Sequence, residues 1–397
     1  MARYTPEKCA DIEEIIRDAL QNETPLQVTG YGTKKNLGGR VLARDELSLS
    51  AHSGITDYQP EELVMVARSG TPLIEIEETL DKNGQMLGFE PLHLDKFYGQ
   101  STPGSLGGVI ACNLSGSRRI SAGAARDYLL GFDAISGRAG YFRSGSKVMK
   151  NVTGYDLSKL MCGSFGMLAV MSEITLKVLP RPEFMTSLSV TCASLAEARS
   201  ALSIGFGSAT EPSGGAIIKS GGGFNAVLRL EGVKISVDDR IASLSALLEK
   251  TGTLRLMSAE ESSEFWKMMR DISCLQKDAE QVWKLSVTPS YAPQIIAELE
   301  AKYKVDYALD WAGGLIWLGG AGAELGAAIR AVLARQDGGH ATLMRAPEAI
   351  QASQPVFQPL DAALGGLQSR IKTAFDPMYI LNPQKIELGG AADANAL

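Results

Sequence analysis

The sequence predicts an α+β chain of two domains, and three observations predict it. Short strand-like runs between glycine-rich turns fill residues 1–180, strands alternate with amphipathic helices over 181–345, and Pro180-Arg-Pro182 breaks the pattern between them. At 397 residues the chain exceeds the usual size of one domain. Its 45% apolar and 21% charged residues suffice for an ordinary core without disulfides, a metal clip or a bilayer. The net charge of −6 argues against a broad basic face for nucleic acid, so a bound phosphate must be held by local groups.

Cys9, Cys112, Cys162, Cys192 and Cys274 are scattered, with no CxxC pair. A self-contained zinc site or iron–sulfur cluster is not expected, and a reducing compartment is. Acidic residues stand where a signal peptide would carry its apolar core. No uncharged run reaches the roughly eighteen residues of a membrane span. The expectation is a cytoplasmic protein, at most peripheral to a membrane.

The elements follow in order. Thr5 as N-cap and Pro6 at the first helical position open a helix in which Cys9, Ile12, Ile15, Ile16 and Ala19 recur at helical spacing. Pro25–Gly30 reads as a strand ending in a glycine turn, and Glu62–Arg68 as another strand. Thr71-Pro72 caps a helix carrying Ile74, Ile76 and Leu80, closed by Gly84. Asp127–Ile135 and the later part of Gly166–Leu179 are strands. Beyond Pro182, strands at 188–191, 226–230, 283–287 and 314–318 alternate with helices at 237–249, 260–270, 292–302 and 324–335, placing helices on one face of a sheet. A helix around Leu360–Ala374 follows, and a polar, frayed tail is expected after Gly389.

Three segments can carry chemistry. Thr29-Gly30-Tyr31-Gly32-Thr33-Lys34-Lys35 follows a strand, and its glycines let the backbone turn tightly against an anion. It lacks the third glycine of a Rossmann fingerprint, and alone it is equally an ordinary strand-end turn. Ser101-Thr102-Pro-Gly104-Ser105-Leu-Gly107-Gly108 leads through Val109–Ala111 to Asn113 and Ser117, a helix start behind glycines with polar residues at its edges. Lys150-Asn-Val-Thr-Gly154-Tyr-Asp156 through Gly163, Gly166 and Val170 either presents strand groups to a flat heterocycle or is a core strand.

Together these segments resemble the FAD-binding domain of the vanillyl-alcohol oxidase/PCMH flavoprotein family. Residues 29–33 are similar to its xGxGT loop, 104–113 to GxxGGxxxxN, and 154–170 to GYDLxxLxxGSxGxLxV. Phe375-Asp-Pro through Asn382-Pro-Gln-Lys385 is similar to its terminal FDPxxxxNPxK. Gly70-Thr-Pro-Leu73, Gly84-Gln-Met-Leu87, Val148–Asp156, Thr175–Pro182, Asp310–Gly314 and Gly338-Gly-His-Ala-Thr342 resemble the E-type subunits of bacterial glycolate oxidase complexes. The resemblance implies a PCMH/VAO-type FAD-binding domain of two α/β subdomains over 1–180 and an α+β cap domain with an antiparallel sheet over 181–345. A C-terminal segment, 346–397, would return to the FAD domain. It implies non-covalent FAD held by Gly30, Tyr31, Gly32, Thr33, Lys34, Thr102, Gly104, Ser105, Gly107, Gly108, Asn113, Ser117, Gly166, Val170 and Asn382. The first loop has no His for covalent attachment. On this assignment Gly107 gives clearance to the pyrophosphate, so Gly107→Val should abolish flavin retention.

The histidines shape the functional expectation. Members of the family that oxidise 2-hydroxy acids carry an HxGDGNxH-type metal segment and an EHGxG-type segment. Here there are only His52, His93 and His340, and none sits in such a cluster. His340 is a candidate for facing the flavin and His93 for shielding it, although a lone His is more often a structural residue; His52 reads as surface. Phe165 stands where many members have Glu. Lys34-Lys35 and Arg118-Arg119 could offset pyrophosphate charge or simply be solvated. The expectation is an FAD-holding subunit that relays electrons or supports assembly, working with a sister FAD-linked subunit and an iron–sulfur subunit. The alternatives are an autonomous 2-hydroxy-acid dehydrogenase and a cofactor-free structural subunit.

Overall fold

The computed structural model describes residues 2–102, 104–146, 155–336 and 338–388. The Val148–Gly154 part of the third segment, Pro103 and the tail from Gly389 lie outside the described residues. The chain divides into two compact units, one of residues 1–114, 124–181 and 359–397, the other of 115–123 and 182–358.

The first unit contains two main sheets. In the smaller, Asp45–Ser48 lies between Arg3–Tyr4 and Leu26–Thr29, parallel to both. Helix Cys9–Gln21 covers it, because Ile12 and Ile16 recur on one face and pack with Leu26, Leu47, Ile135, Val170 and Leu381. That helix starts later than Thr5-Pro6 suggests. Lys8 is extended, and the Asp11 carboxylate accepts its N–H at 3.3 Å, which sets the first turn at Cys9. The larger sheet is antiparallel, in the order Ile55–Gln59, Val64–Arg68, Ala169–Lys177, Leu129–Ser136, Tyr141–Gly145. Helix Leu73–Asp81 buries Leu73, Ile76 and Leu80 while Ile74 faces solvent.

The second unit is one eight-stranded sheet with every neighbouring pair antiparallel. Its strands run in the order 253–256, 184–192, 223–232, 214–220, 306–310, 315–320, 281–286 and 340–345. Alternation sends Leu188, Val190, Leu228, Trp283, Leu285 and Ile316 to one face, where they form a core with residues of helices Leu195–Phe206, Lys234–Leu248, Ala292–Glu300 and Leu325–Arg335. The other face carries Ser187 and Arg229, against which helix Ala259–Arg270 lays Trp266; the indole N–H donates to Ser187 Oγ at 2.9 Å.

Residues 359–388 belong to the first unit, and a buried ion pair anchors them. Lys372, on helix Ala362–Phe375, is 1% exposed and donates to Asp376 Oδ2 at 2.5 Å, Met167 O at 2.6 Å and Leu381 O at 2.9 Å. Asp376 also accepts the Ile380 and Leu381 N–H groups, so both charges are fully bonded, as burial demands. Among the described residues no helix is long and apolar enough to cross a membrane.

Candidate flavin site

Strand Leu26–Thr29 delivers the chain to Gly30 and the turn through Gly32, which takes φ +79°. Gly30 meets the second loop directly. A Cβ placed there would lie 2.8 Å from Ser105 Cβ, so only glycine lets the loops touch. Ser105 caps helix Leu106–Ala111 by accepting the Gly108 N–H at 3.2 Å. The loop is pinned to residues 69–73 by Leu73 N to Gly104 O, Leu106 N to Thr71 O and Gly107 N to Ser69 O, at 2.8, 2.9 and 2.7 Å.

The remaining walls come from distant sequence. Phe165 and Gly166, at φ +53° and +70°, turn the chain into strand Ala169–Lys177. Asn382 ties that turn to the first strand. Its Oδ1 accepts the Val28 N–H at 2.7 Å and its Nδ2 donates to Phe165 O at 2.8 Å. Lys385 donates to Lys35 O at 2.8 Å. Between these walls opens a cleft lined by both glycine loops.

Of the residues expected at the site, Gly30, Tyr31, Gly32, Thr33, Lys34, Ser105, Gly107, Gly108, Gly166, Val170 and Asn382 line this cleft. Thr102 is exposed and is not part of the lining. Gly104 is not in the lining, but its carbonyl accepts the Leu73 N–H and its Cα faces Lys34. Asn113 is at φ +49°, and its Oδ1 accepts from Arg126 N at 3.3 Å and Cys162 Sγ at 3.6 Å, a turn-fixing role. Ser117 lies in the second unit, buried and donating to Asp310 Oδ2 at 2.7 Å. Gly107 lines the cleft, but the space it leaves belongs to the fold. A Cβ there would stand 2.9 Å from Ser69 O, so Gly107→Val perturbs the unit itself and does not isolate ligand clearance.

Lysines and histidines also sort themselves. Lys35 lines the cleft but is paired with Glu46 at 3.0 Å, and Arg118 pairs with Glu231 in the second unit. Arg119 stacks on Trp311 in the second unit, 4.4 Å from the ring centroid. Lys34 turns inward. Burial lowers its pKa, with Cys112 and then Asp95 partly restoring it. Lys385, 7% exposed, is lowered by burial to about 8, with Cys112 opposing. Burial pushes the Cys112 thiol up against the pull of both lysines. His52 is not a surface residue; it is 4% exposed, with Nδ1 against Glu7 O at 2.8 Å, because the turn at Leu49–Ala51 folds it inward. His93 pairs with Glu77 at 3.1 Å, and His340 is exposed at the start of its strand in the second unit.

Sequence reasoning missed Lys385, Cys112 and Ser69 in the lining. Lys385 stood in the Asn382-Pro-Gln-Lys385 motif, and its place in that motif was the available signal. Ser69 Oγ is buried without a hydrogen-bond partner. An unpartnered hydroxyl, inward lysines and bare glycines suit a ligand that brings phosphate oxygens and a flat apolar body.

Comparisons agree with this chemistry. Residues 2–144 match the family model described as FAD binding domain. The fold is similar to an alkyldihydroxyacetonephosphate synthase structure, at TM-score 0.72 and 16% identity over 97% of this chain and 77% of that one. It is similar also to p-cresol methylhydroxylase with substrate bound, at TM-score 0.70 and 14% identity over 98% and 89% of the two chains. Fold and cleft thus define a flavoprotein of the PCMH/VAO type whose cofactor is FAD. With "Glycolate oxidase subunit GlcE" of Escherichia coli (strain K12) the chain is 36% identical over 375 residues, 94% of this chain and 95% of the relative. The chain belongs to the GlcE family of glycolate oxidase subunits. "Glycolate oxidase subunit GlcD" of Bacillus subtilis (strain 168) is 26% identical over 190 residues, 47% of this chain and 38% of that protein.

Proposed function

We propose that this chain is the FAD-holding E subunit of a complex that oxidises glycolate to glyoxylate, relaying electrons or supporting assembly. The observation that carries the reading is a preformed glycine cleft with inward lysines, in a chain whose relative along 94% of its length is a glycolate oxidase subunit. FAD, when bound, supplies a two-electron acceptor able to pass electrons on singly. The chain's own residues do the holding. Gly30, Gly32, Gly107 and Gly108 open the cradle, Ser105 fixes the second loop, and Asn382 locks the walls together. Val170 and Phe165 contribute apolar lining. The three histidines are spread over both units, two of them engaged with Glu7 and Glu77, which favours a relay over independent substrate oxidation.

The partners in this reading are a sister FAD-linked subunit that binds the 2-hydroxy acid and an iron–sulfur subunit that collects electrons. The complex would be cytoplasmic, peripheral at the inner face of the membrane. The purified chain should show a flavin spectrum between about 350 and 500 nm. Under anaerobic conditions glycolate should not bleach it unless the partner subunits are added. Bleaching of the isolated chain would replace this reading with an autonomous dehydrogenase, and a colourless chain that takes up no FAD would replace it with a structural subunit.

A further inference from the structure

Three polar groups line the cleft without a matching partner, Lys34 partly buried and Lys385 and Ser69 buried. Lys34 Nζ reaches only Thr33 Oγ1, at 3.3 Å. Lys385 Nζ donates to a backbone carbonyl, which leaves its charge uncompensated. Ser69 Oγ bonds to nothing. No described carboxylate lies within ion-pair distance of either lysine; the nearest influence of that sign on Lys34 is Asp95. The neighbouring Lys35, also in the lining, shows the contrast, since it pairs with Glu46. Lining one cleft with two cations that have no counter-charge is costly, and a fold keeps such an arrangement where a ligand supplies the opposite charge.

The three groups converge on the glycine cradle. A Cβ on Gly104 or Gly108 would come 2.9 or 3.3 Å from Lys34 Nζ, and one on Gly107 would come 2.7 Å from Ser69 Cβ. Lys385 is brought in from 350 residues away through its bond to Lys35. Both lysines act on the same partly buried thiol, Cys112. The Ser105 hydroxyl is spent on Gly108 and is no substitute for Ser69.

We infer that Lys34, Lys385 and Ser69 form one anion site on the cradle that takes the diphosphate of the cofactor and sets how tightly the chain holds it. This rests on the FAD reading and adds to it that recognition is electrostatic at the diphosphate. A proton linkage follows. Burial lowers both amines, and the neutral thiol of Cys112 and the carboxylate of Asp95 are the titratable groups facing them. An anion stabilises their charged forms, so binding takes up protons at alkaline pH. Affinity is highest below the lowered value, about 8 for Lys385, and falls as pH rises through it.

The test is calorimetric titration of the full-length, flavin-stripped chain with FAD, ADP and riboflavin at pH 7 and pH 9, for wild type, Lys34→Gln, Lys385→Gln and Ser69→Ala. Either lysine variant should weaken FAD and ADP by about tenfold or more and leave riboflavin, which has no phosphate, within about twofold. Ser69→Ala should weaken FAD less than either lysine variant does. Wild type should lose FAD affinity between pH 7 and pH 9, and Lys385→Gln should lose much less. Lys34→Gln keeps the test open if Lys385→Gln, which breaks the bond to Lys35, fails to fold. Unchanged FAD affinity in the lysine variants, or an equal loss of riboflavin, would overturn the anion site and leave the FAD reading intact. A wild-type chain that binds riboflavin and FAD equally would also overturn the site alone, and one that binds no FAD would overturn both.

Discussion

The contact between Gly30 and Ser105 joins the two loops of the cradle, and it can be tested by a double-mutant cycle. Gly30 is not in a left-handed conformation, so Gly30→Ala meets no backbone penalty and acts through crowding alone. Its Cβ would sit 2.8 Å from Ser105 Cβ and nearer still to Oγ. Ser105 cannot retreat freely. It is 4% exposed, caps helix Leu106–Ala111 and forms an isolated bridge with Pro72. Overpacking of this kind costs about 1–3 kcal/mol, and losing the cap adds about 1 kcal/mol, so Gly30→Ala should destabilise by about 2–4 kcal/mol. For a unit of this size that lowers the melting temperature by about 4–16 °C. Ser105→Gly alone should cost only a few tenths, because glycine is a tolerated N-cap. Combining the two removes the clash, so the double variant should be more stable than Gly30→Ala. Urea unfolding of the flavin-stripped chain, followed by far-UV circular dichroism, measures all four corners. If the two losses simply add, the loops do not touch as described and the argument fails.

Three further outcomes follow from buried polar groups. Lys372→Met leaves Asp376 charged and unpaired at 0% exposure and should cost about 3–5 kcal/mol in urea unfolding; a loss below about 1 kcal/mol would contradict the anchor. Asn382→Ala strands the Val28 N–H and Phe165 O and should cost about 2–4 kcal/mol, with faster FAD release in stopped-flow fluorescence. Lys284, in the second unit, is lowered to about 8 by burial and then by Arg119. Its folded value lies below its unfolded value, so it penalises folding fully below about pH 8, and the penalty fades toward about pH 10.4. Lys284→Met should therefore raise stability at pH 7 by about 1–3 kcal/mol, an advantage that disappears by about pH 10 in parallel melts; a constant difference across that range would refute it.

Local patterns were legible wherever burial follows the chain's own period. Helix Leu73–Asp81 and the helices of the second unit could be read from spacing, and strand Leu26–Thr29 from its glycine exit. Asp45–Ser48 was not legible. It is the middle strand of a parallel sheet, yet Asp-Glu-Leu-Ser has no apolar alternation, and its burial comes from neighbours on both sides. His52 shows the same gap, since a short turn and the Glu7 carbonyl bury it.

For the site, the sequence alone determined that glycine loops of this kind follow a strand and precede a helix, because tight turns and close approach demand glycine at those positions. It also determined the family likeness and the shortage of histidines. Only the tertiary structure decided which residues share the cleft. It sent Ser117 to the second unit, made Asn113 a turn-fixing residue, paired Lys35 with Glu46 while leaving Lys34 without a carboxylate, and brought Asn382 and Lys385 against residues about 350 positions earlier. The physical reason is that a side chain's role depends on which charges and donors surround it after packing. Those neighbours are set by long-range hydrogen bonds that no local spacing encodes.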